Sequence, residues 1–596
     1  MERLRPLSEP AGPFLGIARS LAGKRWRQRG GDDRLGMALA QRLGIPEVMG
    51  RIIAARGVEP DAVDRYLAPT LRDFLPDPSR LKDMDAAVIR LVRAIDTDER
   101  IAIFGDYDVD GATSSALLQR VLTALGARVR VYIPDRRLEG YGPNGAALRL
   151  LRDEGASLVV TVDCGTTAHQ PLEEARSIGL DVIVIDHHAA EPRLPPAVAV
   201  VNPNRLDDDS GEGALAAVGV TFLVAVALNR ALKAAGRVVP DLLQHLDLVA
   251  LGTVCDVVPL VGLNRALVAQ GLKVMAGRRN AGLVALADSA AVSERLDAYH
   301  LGYVLGPRVN AGGRVGRADL GCRLLGTDAP DEARRLAVEL DLLNSERRGI
   351  ETEVLELAIA QIEQEQTGAG PIVIAHGAEW HPGVIGIVAG RLKERYNRPA
   401  CVIAWEAGVG KGSGRSIPGV DLGAAIIAAR QAGHLLGGGG HRMAAGFSLT
   451  EDALPGLAQF LAARIGEITE GTDLTPELGI DGMLQVPAAT PELCAMLAGL
   501  GPFGSGNAEP RFVLPGLRVV KADVVGTNHV RCILAPGAGP ERLKAIAFRA
   551  LDGDLGNALM QSGGRALHIA GHLRADTWQG RNGVQLMIED AAFAHG

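Results

Sequence analysis

From Ile101 onward, short apolar runs alternate with longer stretches in which apolar residues recur every three or four positions. The runs IAIF, VRVYI, SLVVTV and DVIVI are rich in β-branched residues and predict strands. Helical stretches begin between them near Ala112, Gly145 and Ala168. Strands that alternate with helices imply a doubly wound, parallel α/β sheet, whose ligands sit beyond the carboxyl ends of the strands. Those ends read GDYDVDG, PD, DCG and DHH, so three of the four finish in clustered metal-binding side chains.

Upstream, residues 1 to about 95 predict helices and connections, with helical spacing at 54–67 and 86–95. The Arg-rich stretch KRWRQR at 24–29 is flanked by glycine and reads as mobile. An amphipathic helix is expected from residue 342 to about 366, acting as a spacer between two lobes, with Ile350, Val354 and Leu357 on one face. A second, glycine-rich α/β segment follows from about 371 to 450. Beyond residue 475 the runs RFVL, LRVV, VRCIL, ALHIAGHL and VQLMIED predict a small β-barrel.

Composition narrows the classes. The chain has 596 residues, a length that carries several domains. A net charge of −7 excludes a generally basic coating protein but leaves room for a local basic channel. Six scattered cysteines with no C-x-x-C pair argue against a thiolate zinc site or a disulfide framework and fit a reducing compartment. The amino-terminal residues lack the apolar core of a signal peptide. Apolar stretches such as 222–228 fall short of the ~20 residues that cross a bilayer. A cytoplasmic protein is expected.

The sharpest local signal is FGDYDVDGATSSAL. Asp106, Asp108 and Asp110 alternate after a strand, and three neighbouring carboxylates repel one another unless cations lie between them. A calcium-binding EF-hand also opens with this pattern, but the Glu it needs at its twelfth position is Leu117 here, and a strand precedes it. Asp163 ends the strand SLVVTV, Asp186, His187 and His188 end DVIVI, and Asp256 follows an apolar helix in LGTVCDVVPL. Carboxylates with one or two imidazoles suit manganese or magnesium, and shared carboxylates suggest two cations of the kind that serve phosphoryl chemistry.

Basic residues cluster elsewhere. GPRVNAGGRVGR carries Arg308, Arg314 and Arg317 with no acid from Gly302 to Arg317, and residues 380–415 carry six Lys or Arg against two Glu. Arginine forks match phosphate oxygens. Ser413 and Arg415 in GSGRS, with the GGGGH loop ending at His441, predict a phosphate cradle, because glycines let backbone N–H groups approach an anion. Arg136 and Arg137, after the second strand, either touch phosphate or lie in a solvated loop. In the barrel, Trp578, Phe548 and His529 are candidates for base stacking, although core packing is the stronger reading of Phe548.

Taken together, GDYDVDG, VDCG, DHH and GTVCDVVPL resemble the DHH phosphoesterase superfamily, and their order is similar to that of its RecJ branch. YGPNG (141–145), GPRVNAGGR (306–314), SERR (345–348), HPGVIGIVAGRL (381–392), GSGRSIPGVDL (412–422), GGGGHRMAAGF (437–447) and PFGSGNAEPRF (502–512) agree with it. The resemblance implies a helical segment at 1–95, a DHH catalytic domain at 96–265, a helical region with connecting helix at 266–366, a DHH-associated domain at 367–455 and an OB-like nucleic-acid-binding domain at 475–596. It also implies a single-strand-specific DNA exonuclease of recombination and repair, running 5′ to 3′ and releasing mononucleotides with two manganese or magnesium ions. Single-strand-binding protein and a helicase are its expected partners.

By the same resemblance Asp163 bridges the cations. Asp108 with Asp106 or Asp110 completes one site, and His187 with Asp256 helps complete the other. His188 stabilises charge or protonates the leaving oxygen, Asp186 orients the imidazoles, and Arg136, Arg308, Asn310, Arg314, Ser413, Arg415 and His441 hold the strand. Many relatives have His where Phe104 stands, so Asp106 is expected to take over that position; Gly313 and Ala508 also depart from the commoner residues. The alternative enzyme is a DHH phosphodiesterase of short oligonucleotides or cyclic dinucleotides. The alternative from another class is a non-catalytic scaffold that binds single strands.

Overall fold

The computed structural model describes residues 12–136, 138–576 and 583–594. Its contacts divide the chain into two units. One gathers the described residues of 1–77, 257–273 and 475–596. The other consists of 78–256 and 274–474.

The second unit holds the expected parallel sheet, in the order Arg128–Tyr132, Arg100–Gly105, Ala156–Val162, Asp181–Ile185, Ala199–Val201, all parallel. Four of these strands are legible as apolar runs. The fifth, Ala199–Val201, is three residues long and follows a proline-rich segment, too short for periodicity to mark. The order reverses at Arg100–Gly105, whose neighbours are reached in opposite directions, so a crevice opens between its carboxyl end and that of Ala156–Val162. Helix Val109–Ala124 follows at once and is buried along most of its length. Gly111 lies in its first turn, where a Cβ would sit 2.4 Å from the Asp106 carbonyl oxygen, so the acidic loop folds back on itself only with glycine there.

Helix Pro330–Glu365 begins twelve residues before the position the apolar spacing suggested. Proline opens it, and Asp331 and Glu332 complement its amino terminus. It is no free spacer. Its first half buries Ala333, Leu336, Ala337 and Leu340, packing with helices Ala281–Ser289 and Gly306–Val315. Its second half packs Val354, Ala358 and Ile362 into the core of a mixed sheet. That sheet runs Gly437–His441, Ala444–Thr450, Val409–Arg415, Ala400–Glu406, Val373–Ala378. Helix Ala217–Ala234 is the one helix among the described residues long and apolar enough to cross a membrane, and 61% of its apolar window is buried in the fold.

In the first unit, strands Phe512–Val525, His529–Ala535, Leu543–Ala547, Gly583–Phe593 and Leu567–Asp576 close into a five-stranded barrel, the last pairing back with the first. RFVL and LRVV are two parts of one strand, bent where Pro515 and Gly516 interrupt it. Helices Asp33–Leu43 and Glu47–Ala55 contribute Leu39, Met49, Ile52 and Ile53 to the barrel core. KRWRQR is not a mobile stretch: Arg25–Gln28 is a strand paired in parallel with Glu477–Ile480. The cause is the single aromatic among its charges. Trp26 is fully buried, and its indole N–H donates to Asp590 at 2.9 Å. Asp590, also fully buried, accepts further bonds from Ser20 Oγ and the Ala22 and Ala591 amides.

Candidate metal centre

Both walls of the crevice carry acids. The Asp106 amide donates to the Val162 carbonyl at 3.3 Å, tying the two strand ends together. Asp108 caps helix Val109–Ala124 by accepting from the Gly111 amide at 3.1 Å. Across the crevice, Asp163 donates its amide to Ile185 O at 3.0 Å and then turns into the left-handed region at φ +62°, a strained conformation that aims its carboxylate inward. The Tyr141 hydroxyl holds the Asp163 carbonyl at 2.9 Å.

Donor atoms of Asp106, Asp108 and Asp163 fall within 4.8 Å of one another. So do those of Asp163, His187 and His188, and those of Asp110, His187 and Asp256. Asp163 and His187 each belong to two of the three groups. Among the described residues, four buried atoms of these groups have no hydrogen-bond partner: Asp106 Oδ1, Asp163 Oδ1, His187 Nε2 and Asp256 Oδ2. A buried polar atom left unpaired is costly, and four converging ones fit divalent cations.

The imidazoles are set by their far nitrogens. His187 Nδ1 donates to the Leu215 carbonyl at 3.1 Å, which leaves the Nε2 lone pair 3.5 Å from Asp163 Oδ1 and 3.6 Å from Asp256 Oδ2. Burial, helped by the charge of His188, lowers the His187 pKa to about 4, so it is neutral at pH 7. His188 Nδ1 lies 2.8 Å from Asp186. Burial disfavours its charge, but the bond and charge of Asp186 outweigh it and raise its pKa to about 9. Asp186 in turn accepts from the Thr166, His187 and His188 amides. Against its own burial, His188 and those bonds hold it ionised, with a pKa of about 2.

The remaining carboxylates move the other way. Burial, then the charge of Asp108, pushes Asp106 well up; burial and four neighbouring aspartates do the same to Asp163. Burial and the charges of Asp110 and Asp108 raise Asp256 to about 9. Asp110, raised to about 7 by burial and Asp108, spends both oxygens on the amides of Ala217 and Val218 at 2.7 and 2.9 Å. It thereby caps helix Ala217–Ala234, whose own first residues offer no capping side chain.

These shifts have a consequence for stability. Folded, metal-free protein retains on Asp256 a proton that an unfolded chain releases above about pH 4, and on His188 one released above about pH 6.5. Both contributions make stability fall as pH rises toward 9. The melting temperature in a chelator should therefore drop between pH 6.5 and 9, and manganese should remove most of the drop; thermal melts across that range check it.

Facing the acids is a cluster of arginines. Arg136 lies over the Tyr107 ring, 5.1 Å from its centroid. Arg314 donates to the Gly383 carbonyl at 2.9 Å, and burial, with the charges of Arg136 and Arg347, lowers its pKa to about 10. Arg415 donates to Ser413 Oγ at 3.2 Å and to the Gly414 carbonyl at 2.8 Å, and its pKa is lowered by burial and by Arg136. Among the described residues, neither Arg314 nor Arg415 has a carboxylate partner. A Cβ on Gly386 would stand 2.9 Å from Ser413 Oγ and 3.0 Å from Arg415 Nη2, so only glycine lets the uncapped start of helix Ile385–Tyr396 approach this pair. Half-buried guanidinium groups without acids, beside the uncapped start of a helix, suit an oxyanion.

Other predicted residues lie differently. Arg308 is occupied by Asp341 at 2.8 Å and the Val304 carbonyl, and Arg317 by Asp319. Asn310 shares its helix with Arg314 and is half-buried. His441 is exposed at the end of the edge strand Gly437–His441. Phe104 is buried and stacks on Tyr132. In the barrel unit, Phe548 is 54% exposed and meets His529 edge-on, not in the core. Arg137 and Trp578 lie outside the described residues. Tyr141 and the Leu215 carbonyl carried no signal of their own in the sequence, although YGPNG marked the neighbourhood of the first.

Known proteins resemble this chain in sequence and fold. The chain matches models of the DHH family, N-terminal domain, over residues 100–253, of the DHHA1 domain over 369–467 and of the RecJ OB domain over 480–590. It is 37% identical to the single-stranded-DNA-specific exonuclease RecJ of Dickeya dadantii over 563 residues, 91% of this chain and 96% of that protein. To the protein of the same name from Bacillus subtilis it is 35% identical over 587 residues, 96% of this chain and 72% of the other. The crystal structure of RecJ in complex with Mn2+ from Thermus thermophilus superposes with a TM-score of 0.80 at 32% identity, covering 94% of this chain and 78% of that one.

Proposed function

The chain belongs to the RecJ family of single-stranded-DNA-specific exonucleases, and from that premise we propose that it removes mononucleotides from the 5′ end of single-stranded DNA in repair and recombination, using two manganese or magnesium ions. One observation carries the reading: four orphaned donor atoms converge on one side of a crevice while half-buried arginines without acid partners among the described residues line the other.

In this reading Asp163 is held in common by both cations. Asp106 and Asp108 complete one site, and His187 and Asp256 complete the other. When bound, the cations lower the pKa of a water, neutralise the scissile phosphate and steady the departing oxygen. Asp186 orients the His188 ring and keeps it charged, so His188 holds a proton for the leaving oxygen. Asp110 anchors helix Ala217–Ala234, and the Leu215 carbonyl just ahead of that helix orients His187. Ser413, Arg415 and the start of helix Ile385–Tyr396 receive the terminal phosphate, and Arg136 and Arg314 neutralise the next one.

The terminal barrel adds a second single-strand surface, and single-strand-binding protein and a helicase are its expected partners. Six unpaired cysteines favour the cytoplasm as its location.

Digestion of end-labelled single and double strands tests the reading. With manganese or magnesium, the 5′ label should appear first, as a mononucleotide, from single strands only. Early release of a 3′ label, or a preference for dinucleotides over long strands, overturns it.

A further inference from the structure

The helix that delivers Arg314 starts as a π-helical turn, His300–Leu305, and continues without a break as Gly306–Val315. Tyr299, Tyr303, Pro307, Asn310 and Arg314 follow one another at intervals of four, four, three and four, so they share one face. Leu301, Leu305, Val309 and Gly312 on the opposite face are buried. At the far end of the shared face, Arg314 lies among Arg136, Arg415 and Asp108 at the crevice. At the near end, Tyr299 and Tyr303 are 55% and 75% exposed. Their rings stack on each other, with centroids 5.3 Å apart and planes 28° apart. His300 beneath them is pinned by Asp297 at 2.7 Å and Glu294 at 2.9 Å, which fixes the turn that presents the pair.

Aromatic residues make up only 4% of the chain. Two of them placed bare on adjacent turns add nothing to a core. Tyr303 precedes Arg314 by eleven residues, about 16 Å of helix, which a few nucleotides span. We propose that Tyr299 and Tyr303 form a stacking platform for unpaired bases of the substrate, a few nucleotides in from the end held at the metal centre. The proposal rests on the exonuclease reading above. Base faces suit this surface better than phosphates do, because the exposed groups are rings and carry no positive charge. Stacking on tyrosine is tolerant of sequence, as an enzyme that consumes any strand requires.

Steady-state kinetics with manganese tests it, using a 5′-phosphorylated trinucleotide, a 5′-phosphorylated dodecanucleotide, and the dodecanucleotide with abasic sites from its fourth position onward. Tyr299→Ala with Tyr303→Ala should raise KM on the dodecanucleotide about tenfold, and by more than on the trinucleotide. Tyr303→Ala alone should give a smaller step of the same sign, and replacing both tyrosines with Phe should keep the wild-type value. Abasic sites should raise the wild-type KM but add nothing further in the double alanine variant. An equal rise on both lengths, no rise on the longer strand, or a full abasic penalty in the variant overturns the platform. If wild-type protein releases nothing from any single strand, the exonuclease reading itself has failed.

Discussion

Asp163→Ala is expected to reduce manganese-dependent nucleotide release by on the order of 10³-fold or more, while the protein still folds. Asp163 shares a donor group with Asp106 and Asp108 and lies 3.5 Å from His187 of the other proposed site, so its loss opens both proposed cation sites at once. Asp163→Asn is the sharper variant. Asparagine tolerates the left-handed backbone at this position, where alanine does not, and it removes only the charge. The loss of activity should match, and binding of manganese, followed by calorimetry, should weaken with it. Stability should move in the opposite direction. A buried carboxylate crowded by Asp106, Asp108, Asp110 and Asp256 destabilises the metal-free protein, so its melting temperature in a chelator should rise in Asp163→Asn. Near-normal hydrolysis by either variant would remove Asp163 from the bridging position.

Arg415→Ala is expected to act on binding. A guanidinium hydrogen-bonded to a phosphate contributes about 2–3 kcal/mol, roughly 30- to 150-fold in KM, with a smaller effect on kcat at saturation. The effect should be large on 5′-phosphorylated strands and small on 5′-hydroxyl strands if, as proposed, the Ser413–Arg415 pair and the start of helix Ile385–Tyr396 receive the terminal phosphate. Comparing KM for the two substrates checks it. Equal defects on both would place Arg415 along the strand instead of at its end.

The catalytic edge was legible in the sequence because two simple periods meet there. β-Branched runs locate the strands, and in a doubly wound sheet whatever follows a strand lies on one rim. Asp106, Asp108, Asp163, Asp186, His187 and His188 all follow strands directly, so their convergence needs no knowledge of tertiary packing. The hidden parts depend on contacts between segments distant in sequence. Asp110 resembles its two neighbours but faces a helix amino terminus more than a hundred residues away. Tyr141 reaches the Asp163 backbone from a loop, and a carbonyl such as that of Leu215 has no signature at all. The Arg-rich stretch near the amino terminus misled for a related reason: five charged or polar residues outvote one tryptophan in any composition argument, yet Trp26 finds a buried acid far along the chain. Arg308 looked like Arg314 in the sequence, and only the long helix, with Asp341, distinguishes them.

The bond between Trp26 and Asp590 joins residues 564 apart. The unit that contains it is assembled from three pieces of chain, and the strand bearing Asp590 leaves the ribosome after every other strand described. The catalytic unit, complete by residue 474, is free to fold during translation. The strand carrying Trp26, with its exposed indole, must wait until its partner has been made. A ring closed over so many residues carries a chain-entropy cost that grows only logarithmically with length, so the delay costs little stability once the partners meet. Its effect is on timing: the barrel is sealed only after the whole of the catalytic unit has left the ribosome.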